Sequence, residues 1–237
     1  MWNGNIGKAK TLVLASLIVS IGGCDAGAAP PPAPKLAGNA TQSQPPNMRY
    51  QVDPARNRVW FLTRDGVFLY DVNKAEKIVV PLGPWQWVGT PYGCLPDLAL
   101  GPRGEAVITS DILPTLWRID AETLAVSVHP LLLDADTDKD VGFSGLVYSS
   151  EQEAFFAVSY LQGSLWRIDL ALSGAQKIPL SVPVWKACGL AVQPRVTQQK
   201  TSRPARLRVR AQQGEWTVDL APDQRSAYAK AAPRTKP

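Results

Sequence analysis

Histidine is almost missing from this chain, with one in 237 residues. That residue, His129, lies in the apolar stretch VSVHPLLL. No His–His metal pair can therefore form, and imidazole acid–base chemistry has one candidate, in a segment whose apolar neighbours favour packing over catalysis. Cysteine is scarce at three residues, too few for a thiolate-rich metal site beside any other role. The N-terminal apolar run covers only residues 11–21, and nothing reaches the ~18 residues that a membrane-spanning helix needs. Gly-rich phosphate loops and Ser nucleophile elbows are absent. A formal charge of +5 is too small a surplus to argue for nucleic acid. What is plentiful is turn chemistry: 21 prolines and 18 glycines favour many short strands over long helices. At 45% apolar, the chain can fold as one large domain or two small ones.

Residues 1–24 read MWNGNIGKAKTLVLASLIVSIGGC. Lys8 and Lys10 form a basic n-region, residues 11–21 an apolar h-region, and Gly22 and Gly23 supply small side chains for a signal peptidase. Ile21-Gly22-Gly23-Cys24 resembles the lipobox of bacterial lipoproteins. The resemblance implies removal of residues 1–23 and acylation of Cys24, and so a membrane-anchored protein of the cell envelope facing the periplasm or the surface. It also implies that Asp25 favours inner-membrane retention in enteric bacteria. An ordinary signal peptide with a nearby cysteine is the competing reading. Each buried CH₂ of an acyl chain adds roughly 0.8 kcal/mol, so several chains anchor where one binds marginally. Residues 24–47 then form a tether, with Pro30, Pro31, Pro32, Pro34, Pro45 and Pro46 among small residues. Extended at ~3.1 Å per residue, it would hold the body up to ~70 Å from the lipid.

From residue 48 the chain repeats itself. Residues 59–72, 106–121, 154–170 and 206–220 each read as strand, turn, strand. Each ends with an aromatic residue three places before an aspartate: Phe68/Asp71, Trp117/Asp120, Trp166/Asp169 and Trp216/Asp219. A short apolar strand precedes each hairpin, and another follows the first three, at residues 78–82, 126–133 and 177–182. Four strands per unit is the content of one propeller blade. The units VWFLTRDGVFLYDVNKAEKIVVPLG and FAVSYLQGSLWRIDLALSGAQKIPL resemble bacterial YVTN-type β-propellers, related to WD-repeat propellers. The expected fold is therefore all-β: a small, four-bladed propeller of four-stranded antiparallel blades over residues 48–221, with a basic tail at 222–237. After Asp219 no convincing fourth strand is visible. Either residues 48–52 complete that blade, or the ring is open and a partner finishes it. The four aromatic residues are expected between blades and the four aspartates at strand corners, accepting backbone N–H bonds.

Candidate site residues are few. Cys94 and Cys188 begin units two and four, and an oxidising compartment makes their disulfide plausible, against two buried thiols. The adjoining loops carry Trp85, Trp87, Tyr92 and Trp185, which form either a binding surface or a hydrophobic plug. Asp134, Asp136, Asp138 and Asp140 alternate as in the first half of a calcium loop. However, Lys139 stands at the turn glycine and Gly145 at the bidentate glutamate, so a solvated acidic corner is the alternative to a Ca²⁺ site. Residues 195–237 hold ten Lys/Arg against three acids, a basic end suited to anionic lipid, an acidic partner or plain solvation. The stretch PDLALGPRGE resembles repeats of gluconolactonase-type propellers, which implies a catalytic Ca²⁺ held by inner-strand carboxylates, with Asp97 the one matching position. The reading that follows is a lipid-anchored scaffold that binds an envelope protein or ligand, more a binder than an enzyme. The alternative is a divalent-metal-dependent hydrolase or lactonase.

Overall fold

The computed structural model describes residues 48–87, 94–134, 142–193, 206–220 and 227–231, all within the compact unit Gln42–Pro237. Cys24, the signal region and the tether lie outside the described residues.

Four antiparallel sheets form a four-bladed β-propeller, the fold class expected from the sequence, and the described residues contain no helix. Blade 1 is β1 (Met48–Asp53), β2 (Arg58–Thr63), β3 (Gly66–Asp71) and β4 (Glu76–Val80). Blade 2 is β5 (Leu98–Leu100), β6 (Ala106–Thr109), β7 (Thr115–Ile119) and β8 (Val126–Pro130). After Pro130 the chain crosses to the next sheet, where β9 (Leu132–Leu133) pairs in parallel with an outer strand. Blade 3 is β10 (Gly145–Ser149), β11 (Ala154–Val158), β12 (Leu165–Ile168) and β13 (Gly174–Ile178). Blade 4 is β14 (Ala187–Gln193), β15 (Arg206–Ala211), β16 (Gly214–Leu220) and β17 (Ala227–Ala231). The stretch 126–133 is thus two strands on two blades, because Leu131 turns inward on a bond to the Pro114 carbonyl. β17 corrects the sequence reading of the fourth blade. It pairs with β16, so that blade is completed by residues past 221, and residues 48–52 are the inner strand of blade 1. An outer strand needs little apolar content, as β4 and β8 also show with mostly half-exposed or exposed residues.

Strand alternation decides what each blade face meets. Trp60, Leu62, Val67 and Leu69 pack against Ile108, Trp117 and Ile119, joining blades 1 and 2. Phe155, Trp166 and Ile168 pack with Val107, Leu116 and Phe143, joining blades 2 and 3. Phe156, Val158 and Leu165 meet Leu207, Val209 and Val218, with Trp216 half-buried against them, joining blades 3 and 4. Among the described residues no apolar cluster joins blade 4 to blade 1.

The reason lies in the two faces left over. On blade 4, Arg206, Arg208 and Arg210 alternate with buried Leu207, Val209 and Ala211, opposite Asp219, Thr217 and Glu215. On blade 1, Tyr50, Val59, Phe61, Phe68 and Tyr70 share the face away from blade 2, and Val79 on that face is 62% exposed. Phe68 is therefore not between blades, a correction to the expectation for all four aromatic positions. Its ring is half-buried under the Lys77 ammonium at 4.0 Å, because the face it occupies looks toward the unsealed seam.

Three of the four repeated aspartates act as corner acceptors, while Asp219 accepts from Arg206 Nε at 2.6 Å and the corner after it lies outside the described residues. Asp71 takes the N–H groups of Asn73 and Lys74, Asp120 those of Glu122 and Thr123, and Asp169 those of Ser173 and Gly174. Ala75, Leu124 and Leu172 follow in the left-handed region, at φ of 52°, 58° and 57°. The N–H bonds from Thr123 and Glu122 hold the Asp120 carboxyl below its ordinary value. At Asp169 burial raises the carboxyl, but the bonds from Ser173 and Gly174 outweigh it. A carboxyl depressed in the folded state stabilises fully above its unfolded value and stops doing so as pH falls through the folded one. Asp120→Asn with Asp169→Asn should therefore shrink the loss of stability below about pH 4 in urea-unfolding series, and an unchanged acid limb would contradict this assignment.

Candidate functional site

Because each blade is an antiparallel meander, the β2–β3, β6–β7, β11–β12 and β15–β16 turns lie at the same end as the connections between blades. That end carries most of the singled-out residues. Trp85 is half-buried, and its Nε1 donates to the Thr109 carbonyl at 2.9 Å. Trp87 donates to the Arg64 carbonyl at 3.3 Å, and the Arg64 guanidinium sits 5.8 Å from its ring centroid. Together with Leu82, Gln86 and Ile112 these residues line a groove of about 600 Å³ on the rim of blades 1 and 2. Trp185 is not part of it. Half exposed, it sits in the connection between β13 and β14, set by Gly163 at φ +60°. A Cβ at Gly163 would stand 2.7 Å from the backbone of Val184 and Trp185. Gly163→Ala is expected to destabilise by about 1–3 kcal/mol, measured by thermal unfolding, with a shift in Trp185 fluorescence; a neutral effect would contradict the close packing. Tyr92 lies outside the described residues.

Asp136, Asp138 and Asp140 also lie outside them, while the Asp134 carboxylate accepts the Lys177 N–H at 2.8 Å. His129 stands on the outer strand β8, with Ser127 Oγ 2.8 Å from its Nε2, and burial followed by Arg118 lowers its pKa. Among the described residues no three His, Cys, Asp or Glu side chains are grouped to hold a metal.

The axis is built differently. Cys94 and Cys188 are joined as a disulfide with their Cα atoms 5.5 Å apart, tying the start of blade 2 to the start of blade 4. Beside it Asp97 is buried. Its carboxylate accepts the N–H of Leu98 at 2.9 Å and that of Leu146, on blade 3, at 2.9 Å, and it lies 3.7 Å from Arg49 Nε of blade 1. Arg49 in turn donates to the Cys188 carbonyl. Thr109 completes the hub, accepting from Asp97 N at 2.7 Å and donating to the Phe143 carbonyl at 2.8 Å. Burial raises the Asp97 carboxyl above its ordinary range, with Arg49 and the Leu146 and Leu98 amides pulling it down. One aspartate thus binds three blades at the axis.

Solved structures agree with this architecture. A catalytically inactive virginiamycin B lyase from Staphylococcus aureus, with quinupristin, superposes at a TM-score of 0.55 and 13% identity over 78% of this chain and 54% of that one. A streptogramin B lyase gives 0.54 and 14% over 82% and 57%. An auxiliary nutrient binding protein from Bacteroides thetaiotaomicron gives 0.54 and 12% over 77% and 41%. The fold is a β-propeller. At such identities the likeness speaks for fold alone, and this chain spans about half the length of the structures it matches. No protein-family model matches the chain, and no curated protein does.

The Ca²⁺ chemistry implied by the gluconolactonase resemblance does not fit the axis. Asp97 spends its oxygens on two amides and faces the Arg49 guanidinium, which repels a cation, and among the described residues no group of three ligating side chains forms around it.

Proposed function

We propose that this protein is a lipid-anchored envelope protein whose propeller serves as a binding scaffold for an envelope protein or ligand. The observation that carries the reading is the rim groove, where Trp87 and Arg64 stack above a cleft of about 600 Å³, within the size range of ligand sites. Aromatic side chains beside arginine are the residue types that dominate binding energy at interfaces. Propellers similar in fold include proteins named as auxiliary nutrient binding proteins and proteins named as lyases, so the fold itself accommodates a binding scaffold without choosing between binding and catalysis. The metal-dependent hydrolase reading is not favoured, since the axis presents arginine where a cation would sit.

A photo-cross-linking residue at position 87 in living cells should give a discrete adduct, and one at Val128, exposed on the outer strand of blade 2, should not. Adducts from both positions, or from neither, would count against the groove. The anchor has its own test. Cys24→Ala should abolish incorporation of a fatty-acid analogue, and persistent labelling would refute lipidation at that residue.

A further inference from the structure

A second cleft, of about 190 Å³, opens at the axis where blade 4 approaches blade 1, and it shares no lining residue with the rim groove. Arg49 and Gln51 of β1, Asp97, Gly189 of β14, and Arg208 and Arg210 of β15 are among the residues that line it, with Glu215 also on its wall. The cleft sets three guanidinium groups against two carboxylates, those of Asp97 and Glu215. Asp97 has two backbone amides on its oxygens. Glu215 lies 3.9 Å from Arg208, beyond hydrogen-bond reach. Arg49 Nε is buried without a hydrogen bond. Arg210 stands in register with Glu215 and Gly189 and acts on Asp97 through space. A Cβ at Gly189 would meet nothing within 4 Å, so the floor of the cleft is open.

From this geometry we propose that the axial cleft binds a small oxyanion, a carboxylate- or phosphate-bearing ligand, between Arg208 and Arg210 of blade 4 and Arg49 of blade 1. Guanidinium groups present planar pairs of N–H donors that match the two oxygens of such a group, and in a partly enclosed cleft these charge-assisted bonds are roughly twice as strong as neutral ones. The volume holds about six waters at ~30 Å³ each, enough for inorganic phosphate, a short dicarboxylate or the anionic end of something larger. The proposal also gives a use to a blade face that carries arginines where a sealed ring would carry apolar side chains. A ligand there would bridge the seam.

The test is thermal unfolding of the full chain titrated with sodium phosphate and with sodium succinate, against sodium chloride at matched ionic strength. At least one oxyanion should raise Tm with saturation, as binding to the folded state requires, and chloride should not. Arg210→Gln and Arg208→Gln should each weaken the apparent affinity about tenfold or more, as expected for loss of a charge-assisted pair. Arg206→Gln, on the same strand face but paired with Asp219 at 2.6 Å at the other end, should leave it unchanged. A soluble short-chain phosphatidylglycerol separates the sources: tighter binding than inorganic phosphate assigns the site to a lipid headgroup, and equal or weaker binding assigns it to a free solute. A shift no larger than that with chloride, or equal losses in Arg206→Gln and Arg210→Gln, would overturn the proposal.

Discussion

Cys94→Ser combined with Cys188→Ser should lower the stability of the folded body by about 3–4 kcal/mol. The chain-entropy account gives up to ~4.7 kcal/mol for a loop of this length, and native cross-links commonly deliver somewhat less. The two cysteines are 94 residues apart, so the cross-link closes the whole of blades 2 and 3 into one loop and restricts a large part of the unfolded ensemble. Its position adds to the effect. Blades 1–2, 2–3 and 3–4 are joined by apolar packing, whereas among the described residues no buried apolar cluster joins blade 4 to blade 1, where Arg49 donates to the Cys188 carbonyl. The disulfide thus holds the arc curved where packing does not. For a domain of this size the loss corresponds to a fall in Tm of roughly 8–15 °C. Calorimetry on oxidised protein and the double variant measures it, and a fall below about 3 °C would mean that the arc keeps its curvature unaided.

Asp97→Ala should be nearly as damaging, at about 3–5 kcal/mol, because it removes the partner of a largely buried guanidinium and strands the buried Leu146 amide together. Arg49 has a side-chain exposure of only 14%, so water cannot replace the carboxylate fully. Asp97→Asn is the milder change: its amide oxygen still accepts from Leu146, while the charge and the acceptor for the Leu98 N–H are gone. It should cost about half as much at neutral pH. Since burial holds the Asp97 carboxyl above its unfolded value, protonation favours the folded state, and the wild type should gain on Asp97→Asn as pH falls from the raised folded value toward the unfolded one. Urea unfolding of the three proteins across that range decides the matter. An Asp97→Ala cost under 1 kcal/mol would remove Asp97 from its place as the axial hub.

Much of this architecture is legible in the chain because a hairpin writes itself locally. The register that sets Trp166 opposite Ala157 and Asp169 at a corner depends on residues fewer than twenty positions apart. Blade faces are less local. Phe68 and Trp117 occupy equivalent places in their units, yet one looks at an open seam and the other at a packed blade, and only the count of neighbours tells them apart. A signal was nonetheless present: Arg206, Arg208 and Arg210 alternating with Leu207, Val209 and Ala211 describe a strand with one apolar face, as expected of a blade that has a neighbour on one side alone. β17 was hidden because AYAKA holds no β-branched or long aliphatic residue to mark a strand, and the structure places it by its pairing with β16. The axial cleft was hidden for another reason. Arg49, Asp97 and Arg210 come from three blades, and no spacing rule connects them.

The central claim is that four blades are held by three packed interfaces, with no apolar cluster among the described residues sealing the fourth seam. Its most direct test is the matched pair Trp166→Ala and Phe68→Ala, equivalent positions in the repeat, compared by urea unfolding. Trp166 fills the interface of blades 2 and 3 with no exposed surface, so its loss should cost about 3–5 kcal/mol. Phe68 faces the seam beneath Lys77, and its loss should cost about 1 kcal/mol. Equal costs at the two positions would show that blade 1 is packed on both faces, and would contradict the account.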